Sequence, residues 1–144
     1  MSEQAERLAR GDWYLDDEEL RSRRRACWRL LDRYNATGAD DDEERGRLLQ
    51  SMLGAVGAGV VVMPRLQCSY GTNTTLAEGV FVNCGAFLMD DAPIHLGAHT
   101  RLGPGAQLMT ALHPVEDHRR RREGWERALP ITLGENVWLG ANVV

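Results

Sequence analysis

Three of the four histidines in this chain, His95, His113 and His118, stand at spacings that invite a chemical reading. His113 and His118 are five residues apart, and His95 lies eighteen before His113. Three imidazoles brought together could hold a zinc ion. One imidazole alone, largely neutral at pH 7 with an ordinary pKa near 6.5, could instead take the proton of an attacking hydroxyl, a role worth roughly 10²–10⁴ in rate. Covalent chemistry has less support, because no serine or cysteine stands beside a base in a way that would activate it. Cys27, Cys68 and Cys84 are odd in number and include no CxxC pair, which argues against a disulfide framework and a zinc knuckle and fits a reducing cytoplasm.

These groups must be positioned by a six-residue beat in the second half of the chain. Aliphatic residues fall at Leu76, Val82 and Leu88, at Leu96, Leu102 and Leu108, and at Leu133 and Leu139. Two residues before each stands a small or β-branched side chain: Thr74, Val80, Ala86, Ile94, Thr100, Ala106, Ile131 and Val137, with Val143 continuing the series. Alternate residues of a strand point the same way, so both positions face a narrow axis, as in the hexapeptide repeats of a parallel β-helix. Glycine follows four of the leucines, as Gly97, Gly103, Gly134 and Gly140, where a corner needs backbone angles that a Cβ disfavours. The expected fold is therefore mostly β, a three-sided prism whose coils stack to bury a shared core.

The beat breaks twice. Leu88 to Leu96 is eight residues, so two extra residues bulge out around Asp90 and Asp91. Leu108 to Leu133 is twenty-five, which throws a loop over 109–129, read as non-helical, out from the prism just before His113. Loops on a rigid scaffold are where chemistry concentrates, and Pro114 stiffens the chain after the imidazole.

The first part of the chain has a helical texture. Ala26, Cys27, Leu30, Leu31 and Tyr34 recur at helix spacing, as do Leu48, Leu49, Met52, Leu53 and Val56. Asp16 with Glu19 resembles a capping box for the first of two helices, Gly38 marks its end, and the acidic run from Asp40 to Glu44 opens the second. Two units are expected, a helical segment over 1–58 and the β-helix over 59–144. The net charge of −4 offers no broad basic surface for nucleic acid. No apolar run reaches membrane-spanning length, and the start of the chain lacks the apolar core of a secretion signal.

The motifs GDWY at 11–14, RYN at 33–35, CSYGTN at 68–73, FVN at 81–83, MDD at 89–91, TALHP at 110–114 and PITLGENVW at 130–138 resemble the maltose and galactoside O-acetyltransferases, in order and over nearly the whole chain. The resemblance implies a left-handed β-helix, a homotrimer with active sites between subunits, acetyl-CoA as co-substrate with no metal, and a small carbohydrate acceptor covered by the helical segment. It implies His113 as the catalytic base and Asn83 as the group that steadies the oxyanion; His113 could instead be a loop histidine paired to backbone, and Asn83 a corner residue that tolerates left-handed backbone. Asp91 and Ser69 match sugar-hydroxyl ligands, although either could be a turn residue bonded to its own backbone. Asp16 and Arg24 match acceptor-contacting positions, Glu126 a position near the acceptor or the catalytic histidine, and Ala141 a residue whose backbone meets the pantetheine arm. The arginines Arg119 to Arg122 read as a solvated run before they read as a phosphate site.

One departure bears on the donor. The sequence stops at Val144 where a coil would continue, so a truncated chain is expected, with the acceptor half of the site intact. Two other readings share the prism: a zinc enzyme like the γ-type carbonic anhydrases, with histidines contributed across a trimer interface and His95, His113 and His118 as the candidates, and an inactive trimeric scaffold.

Overall fold

A computed structural model describes all 144 residues. Three helices, α1 (Glu3–Arg10), α2 (Glu18–Asn35) and α3 (Asp42–Met52), precede a coil of short strands. Its first turn is β1 (Ala55–Val56), β2 (Val61–Val62) and β3 (Leu66–Cys68); its second is β4 (Thr74–Leu76), β5 (Phe81–Val82) and β6 (Ala86–Met89). The third turn is β7 (Ile94–Leu96), β8 (Arg101–Leu102) and β9 (Gln107–Met109). An excursion with β10 (Ala111–Leu112), α4 (His118–Glu123) and β11 (Arg127–Ala128) follows, and β12 (Ile131–Leu133) and β13 (Trp138–Leu139) open a fourth turn. The strands stack into three parallel sheets, β1-β4-β7-β12, β2-β5-β8-β13 and β3-β6-β9, which are the three sides of the prism. No helix is long and apolar enough to cross a membrane.

The hexad arithmetic holds on two sides and fails at one corner. Thr74 pairs with Ile94 and Leu66 with Ala86, so a turn is twenty residues long and not three hexads. The two extra residues fall each time between the third side and the first, after β3 and after β6, and the excursion leaves from the same corner after β9. Every irregularity of the coil is thus stacked on one edge of the prism, and that edge is where the polar residues gather.

Both repeating positions point inward as their types require. Thr74, Val80, Ala86, Ile94, Thr100 and Ala106 are buried, and so are Leu76, Val82, Leu88, Leu96, Leu102 and Leu108. The core continues without a break into α2 and α3 through Cys27, Leu31, Tyr34, Leu48, Leu49 and Met52. These two helices close the open end of the first turn, whose strand edges would otherwise carry unpaired backbone groups. The Tyr34 hydroxyl donates to the Val62 carbonyl at 2.6 Å, the Trp28 indole to Cys68 at 3.2 Å, and the Asn35 side chain forms a two-way pair with the Leu66 backbone at 2.9 Å each.

Several expectations need correction. Asp17, not Asp16, caps α2, its carboxylate accepting from the Leu20 amide; the helix ends at Asn35, before Gly38. The excursion is partly helical, since Asp117 caps the short α4 by accepting from the Arg120 amide. Helix α1 has only Ala5 and Leu8 to bury, too few apolar positions to announce itself. The reason for Gly97 and Gly103 is also different. Left-handed backbone occurs two residues further on, at His99 and Gly105. A Cβ on Gly97 would lie 2.4 Å from the Gly134 carbonyl and one on Gly103 2.6 Å from that of Gly140, so glycine is there because consecutive turns touch backbone to backbone.

Candidate active site

The irregular edge is built around a buried carboxylate that sequence reasoning did not single out. Asp90 is fully buried; its Oδ1 accepts from the amides of Tyr70 (2.8 Å) and Gly71 (3.1 Å), and its Oδ2 from the Asn73 amide (3.2 Å) and the Thr74 hydroxyl (3.1 Å). These bonds fix the turn at 69–73 so that Ser69 and Tyr70 face the next bulge. Burial still pushes the Asp90 pKa upward against its hydrogen bonds.

Asp91 stands beside it and faces the site. It is 7% exposed, with the Ser69 hydroxyl 3.4 Å from its Oδ2, a long contact. Burial, then the negative charges of Glu126 and Asp90, push its pKa up to about 6, with Ser69 and Arg24 pulling the other way. Arg24, from α2, donates to Asp16 at 2.6 Å and to the Tyr70 hydroxyl at 2.8 Å. Burial works against the charge of Arg24, but the bond and charge of Asp16 outweigh it and raise its pKa. The other oxygen of Asp16, Oδ1, is buried without a hydrogen-bond partner. Asp16 is thus held by arginine, while its neighbour does the capping.

The N-terminal segment closes over this group. Tyr14 is fully buried and pairs with Glu126 as an isolated antiparallel bridge, amide to carbonyl at 2.8 and 2.9 Å, and its hydroxyl donates to Glu126 Oε2 at 3.0 Å. Burial, followed by the charges of Asp91 and Glu126, raises the Tyr14 pKa, so the phenol stays a donor. Around it Ala5, Leu8, Leu20, Tyr70, Ala92 and Ala128 form a second apolar cluster that binds α1 to the excursion.

His113 follows β10 directly, where the antiparallel pairing of Leu112 with Arg127 brings it next to the Trp125–Glu126 step. It is solvent-exposed, and its Nδ1 lies 3.2 Å from the Trp125 carbonyl oxygen. A carbonyl only accepts, so in the neutral ring Nδ1 carries the proton and Nε2 keeps a free lone pair. That is the tautomer a general base needs.

Asp16, Arg24, Ser69, Asp91, Glu126 and His113 therefore lie on one edge, with Tyr14, Tyr70, Asp90 and Trp125 as partners that sequence reasoning did not assign. Two predicted site residues lie elsewhere. Asn83 occupies the next corner, between β5 and β6, and its Oδ1 accepts from the Cys84 amide at 2.8 Å. The six residues from Asn83 to Met89 span roughly 20 Å along the prism side. Ala141 is exposed on the same corner as Asn83, two turns further along, where Gly105 bonds to Cys84 and Asn142 to Pro104. Within one chain the three histidines proposed for zinc do not converge: His95 is exposed on β7, in register with Thr75 and Thr132. No three His, Cys, Asp or Glu side chains of the chain come together in a way that could hold a metal ion.

A three-sided prism of six-residue sides, with an imidazole on its irregular edge, has the form of the hexapeptide-repeat acyltransferases, and the comparisons place the chain among them. The crystal structure of a maltose O-acetyltransferase from Clostridium difficile 630 superposes with a TM-score of 0.94 at 33% identity, over 96% of this chain and 74% of that one. A hexapeptide-repeat acetyltransferase from Vibrio cholerae, solved with acetyl coenzyme A, gives 0.80 at 28% identity, over 99% of this chain and 79% of that one. Nodulation protein L of Rhizobium meliloti is 32% identical over 98% of this chain and 77% of its own length. The family model of the maltose acetyltransferase hexapeptide capping motif matches residues 7–57. The chain belongs to the maltose and galactoside O-acetyltransferase family, and its coil has the left-handed course of that fold.

Proposed function

We propose that this protein is an acetyl-CoA-dependent O-acetyltransferase that acts on a hydroxyl of a small sugar in the cytoplasm, as a homotrimer with its active sites between copies. The free Nε2 of His113, set by the Nδ1 contact to Trp125, carries this reading. Nε2 takes the proton of the acceptor hydroxyl as its oxygen attacks the thioester carbonyl. The carbon–sulfur bond then breaks, and the imidazolium returns the proton to the leaving thiolate. Asp91, Ser69, Asp16 and Arg24 orient the sugar, whose hydroxyls suit a cluster of carboxylates and a guanidinium, with Glu126 between the acceptor and His113 and the helical segment that precedes β1 as the cover. Asn83 of a neighbouring copy donates to the oxyanion, and the backbone at Ala141 meets the pantetheine arm.

The separate edges occupied by His113 and Asn83 support sites shared between copies, because one chain does not bring the two groups together. The test is thiol release from acetyl-CoA across a panel of mono- and disaccharides. Release that depends on one sugar class is the expected result; no sugar-dependent release from any of them would end the proposal.

A further inference from the structure

The four successive arginines Arg119 to Arg122 look in sequence like a solvated run, yet two of them hold the chain on either side of His113. Arg120 lies between two indole rings, its guanidinium carbon 4.7 Å from the centroid of Trp125 and 5.7 Å from that of Trp13. Its own carbonyl accepts from the Trp125 amide at 3.1 Å. One residue thus fixes Trp125 by ring and by backbone, and the carbonyl of that same Trp125 faces His113 Nδ1. Arg121 reaches the opposite flank, donating through Nη1 to the carbonyls of Pro114 at 3.0 Å and Val115 at 2.5 Å. Trp13 belongs to the N-terminal segment that pairs with Glu126 through Tyr14, so the stack also ties that segment to the base.

We propose that helix α4 is a brace for the catalytic histidine, with Arg120 and Arg121 as positioning residues that hold the Trp125 carbonyl and the turn after His113 and so keep the proton on Nδ1. The helix is too short and too exposed to be there for packing: none of its residues is buried. Its neighbours on the same helix lack this arrangement. Arg119 bonds only along the surface to Glu123, and Arg122 is exposed. A cation held between two aromatic faces is worth more than one on a single exposed ring, and it resists sideways motion of both rings.

The inference rests on His113 being the base, and its test separates the two. The histidines are labelled with ¹⁵N, the His113 ring signals are assigned by their loss in His113→Asn, and the tautomer is read from the Nδ1 and Nε2 shifts in the parent protein, Arg120→Ala, Arg120→Lys, Arg121→Ala and Arg122→Ala. A dominant Nδ1–H form is expected in the parent and in Arg122→Ala, a mixture of tautomers in Arg120→Ala and Arg121→Ala, and a largely restored signal in Arg120→Lys. With acetyl-CoA and the sugar of the panel that gives most thiol release, Arg120→Ala lowers kcat about tenfold while KM for acetyl-CoA is unchanged, a loss on the scale of one partly desolvated cation–π contact. Unchanged ring shifts in both alanine variants would overturn the brace. Absent turnover in the parent with every sugar of the panel, with the shifts moving as described, would overturn the acetyl-transfer reading and leave the brace standing.

Discussion

Asn83 and His113 stand on different edges of the same three-sided coil, with the whole of β6 between them. If one active site needs both, they come from two copies. His113→Ala is then expected to lose roughly 10²–10⁴ in kcat, the usual worth of a positioned base, and Asn83→Ala a comparable oxyanion contribution of about 10²–10³. Neither should change the melting temperature much, since His113 is exposed and Asn83 half-buried. Co-expressing the two inactive variants should restore about a quarter of parent activity, because in randomly mixed trimers that fraction of seams pairs an intact histidine with an intact asparagine. Mixed assemblies that stay inactive would place both groups of each site in one chain.

Asp91 links function to stability with opposite signs. Its pKa in the folded protein, about 6, lies above that of an unfolded aspartate, through burial first and then Glu126 and Asp90. Between pH 4 and 6 the folded state therefore binds more protons than the unfolded state, and stability falls as pH rises through that window. At pH 7 the buried charge costs on the order of 2–3 kcal/mol. Asp91→Asn is expected to raise the melting temperature by several degrees at pH 7, by about a third as much at pH 4.5, and to raise the acceptor KM about tenfold by weakening the bond to a sugar hydroxyl. Thermal melts at the two pH values check the first part and steady-state kinetics the second.

The sequence carried the prism further than it carried the site. Inward residues such as Val80, Ile94 and Thr100 were legible because a narrow axis admits only such side chains, and the gap from Leu88 to Leu96 exposed the bulge at Asp91. The matching bulge after Cys68 was not legible, because a cysteine stands there where the next two turns carry Leu88 and Leu108. Helix α4 has four arginines and no apolar period, so nothing in its pattern spoke for a helix. The pairing of Tyr14 with Glu126 joins residues 112 apart, and only folding reveals it. The family motifs named Asn83 and His113 without showing that they belong to separate edges.

That long-range pair gives the next expectation. Tyr14 is wholly buried and its hydroxyl meets a carboxylate, so Tyr14→Phe should cost about 1–2 kcal/mol. The loss should be local. Hydrogen exchange is expected to quicken at residues 3–16 and 109–129, which the Tyr14–Glu126 bridge joins, while β4 to β8 keep the protection of the parent. Uniformly faster exchange, or none, would show that the bridge does not hold the cover.

The last expectation contrasts two glycines that look alike in sequence. At Gly97 an added methyl would lie 2.4 Å from the Gly134 carbonyl, and it could be relieved only by parting β7 from β12, whose contact includes the 2.9 Å bond from the Gly97 amide to Leu133. Overpacking of this kind costs about 1–3 kcal/mol. Gly46 lies within α3, exposed, with nothing within 4 Å of the added methyl, and glycine inside a helix is worth about 1 kcal/mol less than alanine. Gly97→Ala should therefore lower the melting temperature and Gly46→Ala raise it. Both are read in one thermal scan, and a neutral Gly97→Ala would mean that the turns of the prism can move apart more freely than their backbone contact implies.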